Sequence, residues 1–295
     1  MLFRTLLATS LLAAILSAQQ APAPWPPEMK GASVETYKTI GDTSLKLYIY
    51  RPEGKQDVRS PAIVFFFGGG WTGGTPGQFE QQCRYLASRG MVAIAADYRV
   101  KSRNQSTVTD AVRDAKSAIR YVRQNAARLG VDPARIAAAG GSAGGHLAAS
   151  AGIITGLDEP AEDPKISSRP DALVLFNPVV ILAPVPGDEA LTKGSGAIAA
   201  RGQQEPPAAA VSPWHHVATG QPPAIIFHGK ADTTVPYLTV ESFTRQMKAA
   251  GNRCELVGFE GENHGFFNFR PAGNKYYDAT LQATDKFLVS LGFLK

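Results

Sequence analysis

The 295-residue sequence contains only two cysteines, Cys83 and Cys254, and no Cys-x-x-Cys or His-Glu-x-x-His spacing. Neither a disulfide framework nor a zinc-type ligand set is therefore written into it. Two buried free thiols are the simpler reading; pairing stays open, because separation along the chain says nothing about distance in space. No run of lysine and arginine stands out, and the formal charge of +5 is scattered. This argues for solubility and against a nucleic-acid footprint. No apolar stretch reaches bilayer length. No cofactor and no metal ion is expected.

What is present begins with an export-like segment. Arg4 carries positive charge, residues 5–18 are apolar and small, and Ser17-Ala18 offers a small-residue cleavage site. No cysteine follows it to take a lipid, so no membrane anchor is expected after cleavage. A secreted or periplasmic location follows. Residues 19–33, rich in proline and alanine at their start, read as a mobile leader. The remaining residues, 34–295, are 44% hydrophobic with the rest of the chain and suit one catalytic domain rather than two.

Within that domain, 34–40 and 45–50 alternate apolar and polar residues around Gly41-Asp42, as a pair of strands would. A short, wholly apolar run at 62–67 suits a strand buried on both faces, and further strands are expected at 92–96, 136–139, 173–176, 224–228 and 255–259. Helical periodicity separates them at 79–89, 108–129, 143–154 and 238–250, and again at 276–291. Such alternation predicts an α/β fold: a mostly parallel central sheet flanked by helices on both faces, with an antiparallel edge. Ligands then gather at the carboxyl ends of the strands. Two stretches break the rhythm, 155–170 and 179–213, and the second reads as a small cap insertion.

The chemistry sits in four places. Gly140-Gly141-Ser142-Ala143-Gly144 lies between a strand and a helix. A nucleophile on so sharp a turn needs tiny residues two before and two after it, and the N–H of Ala143 points to the space beside the serine oxygen. No lysine follows to suggest phosphate binding. Phe67-Gly68-Gly69-Gly70-Trp71 ends another strand, leaving N–H groups uncovered for an oxyanion. Asp232 follows the strand ending in His228-Gly229, and His264 follows the next. Serine, acid and histidine thus appear in the order of a hydrolase triad, with Ser142 as nucleophile, His264 as base and Asp232 as its orienting acid. Glu262 competes for the acid role by proximity in sequence. His146 reads as packed near the glycine loop, His228 as fixing the acid loop, and the neighbours His215 and His216 as poor chelators.

Together with Asp97-Tyr98-Arg99, Val131-Asp132-Pro133-Ala134-Arg135-Ile136 and His264-Gly265-Phe266-Phe267, these motifs resemble the α/β-hydrolase esterases of the hormone-sensitive-lipase-like and carbohydrate-esterase-like groups, over about residues 34–291. The resemblance implies Ser142, Asp232 and His264 as triad and the N–H groups of Gly69, Gly70 and Ala143 as oxyanion hole. Two departures stand out: Phe67 where the family often has histidine, and Val100-Lys101-Ser102 where it often has Leu-Ala-Pro. Phe67→His is expected to leave folding intact and change rate modestly.

The expected activity is hydrolysis of short-acyl carboxylic esters, with acetyl or feruloyl groups on carbohydrate as candidate substrates and Trp71 and Trp214 as candidate stacking residues. The alternatives are an exported peptidase or amidase on the same scaffold, a long-chain lipase, and a binding protein without catalysis. An intact triad argues against the last.

Overall fold

The computed structural model describes residues 25–54, 59–191 and 208–295. The expected signal segment, the first part of the leader and residues 192–207 of the expected cap lie outside these. Among the described residues, no helix is long and apolar enough to cross a membrane.

Eight strands form one sheet: β1 (Ser33–Ile40), β2 (Thr43–Tyr50), β3 (Ser60–Phe66), β4 (Val92–Ala96), β5 (Val131–Gly141), β6 (Ala172–Phe176), β7 (Ala224–Gly229) and β8 (Cys254–Phe259). Their spatial order is β1-β2-β4-β3-β5-β6-β7-β8, antiparallel from β1 to β4 and parallel from there to β8. Among the described residues, the helices with both ends defined are α1 (Glu80–Ser88), α2 (Lys101–Asn104), α3 (Val108–Gln124), α4 (Ala126–Leu129), α5 (Ala143–Ile153), α6 (Tyr237–Ala249) and α7 (Lys275–Ser290). This is the α/β-hydrolase architecture.

Alternation along each strand builds two cores. On β3, Ala62, Val64 and Phe66 join the cluster packed with α3, α5 and α6, while Ile63 and Phe65 join the one packed with α1 and α7. Both faces are covered along β3, β4, β6 and β7, so these strands are largely apolar on either side, whereas the edge strand β1 keeps exposed polar positions. Cys83 and Cys254 are buried free thiols in different clusters, with the sheet between them.

The register matters most for function. Phe66 pairs with Gly140, Gly141 with Phe176, Phe176 with Phe227 and Gly229 with Phe259. The ends of β3, β5, β6, β7 and β8 are therefore level, and the segments beginning at Phe67, Ser142, Asn177, Lys230 and Glu260 leave one rim of the sheet.

Three expectations need correction. The helix expected over 108–129 breaks at Asn125, whose side-chain amide donates to the Tyr121 carbonyl at 2.9 Å and competes with the helical ladder. The strand expected at 136–139 is longer, starting at Val131; its register slips between Ser60 and Ala62 of its neighbour, and Asp132 accepts the Ala134 N–H in the resulting irregular stretch. The leader is docked from Trp25 onward: Met29 fills the second cluster, and the Arg103 guanidinium lies 3.7 Å from the Trp25 ring centroid.

Asp114 of α3 is fully buried and accepts from Lys38 at 2.8 Å and from Arg99 at 2.8 and 2.9 Å. It ties the edge strand β1, the residues after β4 and a covering helix at one carboxylate. Asp114→Ala would strip the buried carboxylate from both cations, leaving Lys38 with Glu159 at 2.8 Å and Arg99 with Asp110 at 3.5 Å, and is expected to cost about 2 kcal/mol in urea unfolding. A loss under about 1 kcal/mol would show the cluster to be solvated like a surface pair.

Candidate active site

β5 ends against Ser142, which turns the chain at φ 54° and ψ −116° before α5 begins. This is a left-handed conformation, costly for any residue with a Cβ. It is held by its surroundings: the Ser142 N–H donates to the Phe176 carbonyl and its carbonyl accepts the His146 N–H, both at 2.9 Å. The small residues expected two before and two after are required. A Cβ on Gly144 would lie 1.9 Å from the Phe66 carbonyl oxygen, and one on Gly140 2.4 Å from the Gly144 carbonyl.

Ser142, His264 and Asp232 meet. His264 Nδ1 donates to Asp232 Oδ2 at 2.7 Å, and Ser142 Oγ lies 2.9 Å from His264 Nε2. A carboxylate can only accept, so Nδ1 carries the proton and Nε2 is free to accept from the serine hydroxyl. Asp232 is buried, and burial alone would push its carboxyl up. Hydrogen bonds from His228, His264 and the Val235 N–H outweigh that and hold it well below the usual carboxylate range. Its other oxygen accepts the N–H groups of Thr234 and Val235 at 2.8 and 2.9 Å. His228 stands behind it, with Nε2 at 2.7 Å from the Val235 carbonyl and 3.3 Å from Asp232 Oδ2. Glu262 contributes a backbone carbonyl to this turn, accepting from the Ala231 N–H at 3.0 Å, while the acid on His264 is Asp232.

The glycine loop passes directly beside Ser142: a Cβ on Gly68 would meet Ser142 Cβ at 3.4 Å. The N–H groups of Gly69, Gly70 and Ala143 have no protein acceptor among the described residues. They are therefore available to a developing oxyanion. The loop is fastened from behind. Lys101 and Ser102 donate their N–H groups to the carbonyls of Trp71 and Thr72 at 2.9 and 3.0 Å, and Arg103 reaches the Gly74 carbonyl at 2.8 Å. The divergent Val100-Lys101-Ser102 stretch thus anchors the loop by backbone.

Phe67 is a core residue, contrary to the expectation of a tolerant position. It is 1% exposed and stacks on Tyr98 with centroids 4.1 Å apart, and the Tyr98 hydroxyl donates to the Phe67 carbonyl at 2.8 Å. A histidine there would place a polar ring against an apolar one without a partner. Trp71 also departs from its expected role. It is 4% exposed and its indole N–H donates to His146 Nδ1 at 3.2 Å, so it braces the loop and offers substrate no face. Trp214, half-buried in the short helix Pro213–His216, donates to Ser242 at 3.1 Å. His215 and His216 bond to Ser212 and Pro184, and to Ala209, rather than converging. No group of three or more metal-ligating side chains occurs among the described residues.

The described parts of the 179–213 stretch are embedded rather than draped: Val180, Leu182 and Val211 are buried in the first cluster, and His146 Nε2 donates to the Val211 carbonyl at 2.6 Å. Sequence reasoning missed the amide side chains around the site. Asn177, at a φ of 33°, accepts the Gly265 N–H at 2.9 Å. Gln78, in the short 3-10 turn Pro76–Phe79, and Asn268, in a loop, belong to no motif that would have marked them.

The BD-FAE family profile matches residues 47–247. The chain is 27% identical over 240 residues to the isoprenylcysteine alpha-carbonyl methylesterase ICME of Arabidopsis thaliana, covering 74% of this chain and 53% of that one. It thus spans about half the length of that curated relative. It is 55% identical to Thermogutta terrifontis esterase 2 phosphoramylated by tabun, covering 92% of this chain and 98% of the other, with a TM-score of 0.84. The propionate-bound form of that esterase gives 54% identity, the same coverage and a TM-score of 0.85.

His146 offers a pH test of the brace. With Nε2 donating to Val211 and Nδ1 accepting from Trp71, the ring is neutral, and burial holds it at about 4 against an ordinary 6.5. Between those values the unfolded chain binds a proton that the folded one refuses, so stability rises with pH across the window and falls on acidification. The loss on reaching pH 4 is about 3 kcal/mol. The stability gap between the parent and His146→Gln, from urea titrations, should narrow by that amount between about pH 7 and about pH 4; a constant gap would mean the ring is solvated. Phe67→His is expected to lower stability by about 2 kcal/mol, read from the same titrations.

Proposed function

This chain belongs to the BD-FAE family of α/β-hydrolases, and we propose that it is an exported serine carboxylesterase for small acyl groups. The observation that carries the reading is the continuous line from Ser142 Oγ through His264 to Asp232, beside three free N–H donors.

In this mechanism His264 Nε2 takes the proton as Ser142 Oγ attacks the ester carbonyl carbon. The carbonyl oxygen becomes an oxyanion facing the N–H groups of Gly69, Gly70 and Ala143, which are held in place before the reaction begins. His264 returns the proton to the departing alcohol. Water then repeats the cycle on the acyl-enzyme, releasing the acid and restoring Ser142. Asp232 stays ionised throughout, fixing the tautomer and balancing the charge on the imidazolium.

The small acyl group is supported by the propionate-bound neighbour at 54% identity. Export is supported by the apolar run at 5–18 behind Arg4. A carbohydrate alcohol, with acetyl or feruloyl as the acyl group, is the finer part of the proposal; neither Trp71, which is buried, nor Trp214, which is half-buried, adds weight to it.

Hydrolysis of p-nitrophenyl esters from acetate to palmitate tests this, alongside acetylated xylan. Activity confined to the short esters, with acetate released from xylan, is the expected result. Ser142→Ala should lower turnover about 10⁶-fold and Asp232→Asn about 10⁴-fold. Turnover surviving in pure Ser142→Ala would sink the mechanism. Cleavage of amides but not esters by folded protein would replace it with the peptidase reading.

A further inference from the structure

Gln78 lies in the single turn Pro76–Phe79, half-buried, and belongs to none of the groups used above. Both ends of its amide are engaged. Oε1 accepts the Gly68 N–H at 2.6 Å, one residue before the oxyanion glycines. Nε2 donates to Asn268 Oδ1 at 2.9 Å, across 190 residues of chain. Asn268 in turn donates its side-chain amide to the Gly265 carbonyl at 2.9 Å and its backbone N–H to the same oxygen at 3.2 Å. Gly265 directly follows His264. From the other side, its N–H is held by Asn177. Asn274 secures the far end, donating to the carbonyls of Asn268 and Phe266 at 2.7 and 2.6 Å.

The oxyanion loop and the histidine loop leave different strands and share no backbone hydrogen bond among the described residues. The two amide side chains are a direct polar link between them. The directionality is forced: Gly68 offers only a donor and Gly265 only an acceptor at these atoms. Two primary amides, each accepting on one side and donating on the other, complete the chain with every bond satisfied. A carboxylate at either position would face an acceptor, and an apolar side chain would leave a partner unmet.

We propose that Gln78, acting through Asn268, is a positioning residue that sets the oxyanion donors at a fixed distance from the base His264. It couples the two halves of the transition-state machinery, which have to act on one tetrahedral centre. Tyr98 and Arg103 hold carbonyls at the two ends of the glycine loop, and Gln78 holds the N–H of its first glycine. The proposal rests on the reading of Ser142, His264 and Asp232 as an ester-hydrolysing triad.

The test is a double-mutant cycle of Gln78→Ala and Asn268→Ala, with kcat and KM on p-nitrophenyl acetate. Misplacing the donors by a fraction of an ångström is expected to lower kcat about 10- to 100-fold in each single variant, with KM within about twofold. The double variant should be no slower than the worse single one, since either change opens the same link. Gln78→Glu keeps the acceptor for Gly68 and loses only the donor to Asn268; it should fall with Gln78→Ala, and it stands in should the alanine variant not fold. Unchanged kcat in folded variants, losses that multiply in the double variant, or a change confined to KM would each overturn the proposal.

Stoichiometric phosphorylation of Ser142 by paraoxon separates this from the function itself. In that reaction Ser142 Oγ bonds to phosphorus, p-nitrophenolate leaves and the serine proton passes to His264, with no natural ester involved. A parent that ignores every ester yet is phosphorylated faster than its Gln78 variants keeps the link and loses the esterase reading. Equal phosphorylation rates overturn the link, and a parent inert to both overturns both.

Discussion

The contact between Gly144 and the Phe66 carbonyl is the constraint on which the remaining geometry depends. It lets α5 start hard against the end of β3, closer than any side chain permits. Only from there can Ser142 project above the sheet beside Gly68, with its hydroxyl within reach of a histidine arriving from β8. The strained backbone at Ser142 persists because the Phe176 carbonyl and the first turn of α5 hold it on both sides. The position of Ser142 is therefore a consequence of packing between two strands and a helix, and the level strand ends bring the other loops to it.

Around this point the protein uses different means for parts that must stay fixed. The acid is held by charge-assisted hydrogen bonds: Asp232 accepts from His264 and from two backbone N–H groups, with His228 behind. The glycine loop is held by a mixture. Phe67 stacks on Tyr98, Trp71 leans edge-on against His146 with centroids 5.1 Å apart, and the residues opening α2 bind its carbonyls. Its own amide donors on Gly69 and Gly70 are left free. Support by packing and carbonyl contacts is what keeps those N–H groups available for an oxyanion.

Away from the rim, charge does structural work. Asp114 joins Lys38 and Arg99, while Lys116 and Arg120 of α3 pair with Asp158 in the loop that was expected only as an irregular stretch at 155–170. Lys116 also donates to the Ile154 carbonyl at 3.0 Å, past the end of α5. The scattered basic residues that gave no nucleic-acid pattern are in part spent here, satisfying carboxylates and helix-end carbonyls that burial would otherwise leave unmet.

The strands, the order of serine, acid and histidine, and the glycine-flanked turn were legible because each obeys a local rule. A buried strand needs a short apolar run, and a tight turn needs small residues within two positions of its apex. The helix break at Asn125 and the slip in β5 were less so, since side-chain competition and a neighbour's register decide them. The environments of Phe67 and Trp71 were misread, because whether an aromatic faces solvent or core depends on what lies across from it. Tyr98 and His146 are 31 and 75 residues from their partners. The amide link from Gln78 to Asn268 carries no local signal at all. It exists only once strand register and loop paths have brought two distant turns within 2.9 Å. Sequence by itself determined which chemistry the chain can perform; the tertiary structure decided what holds that chemistry in place, because long-range contacts are set by the geometry of the whole sheet.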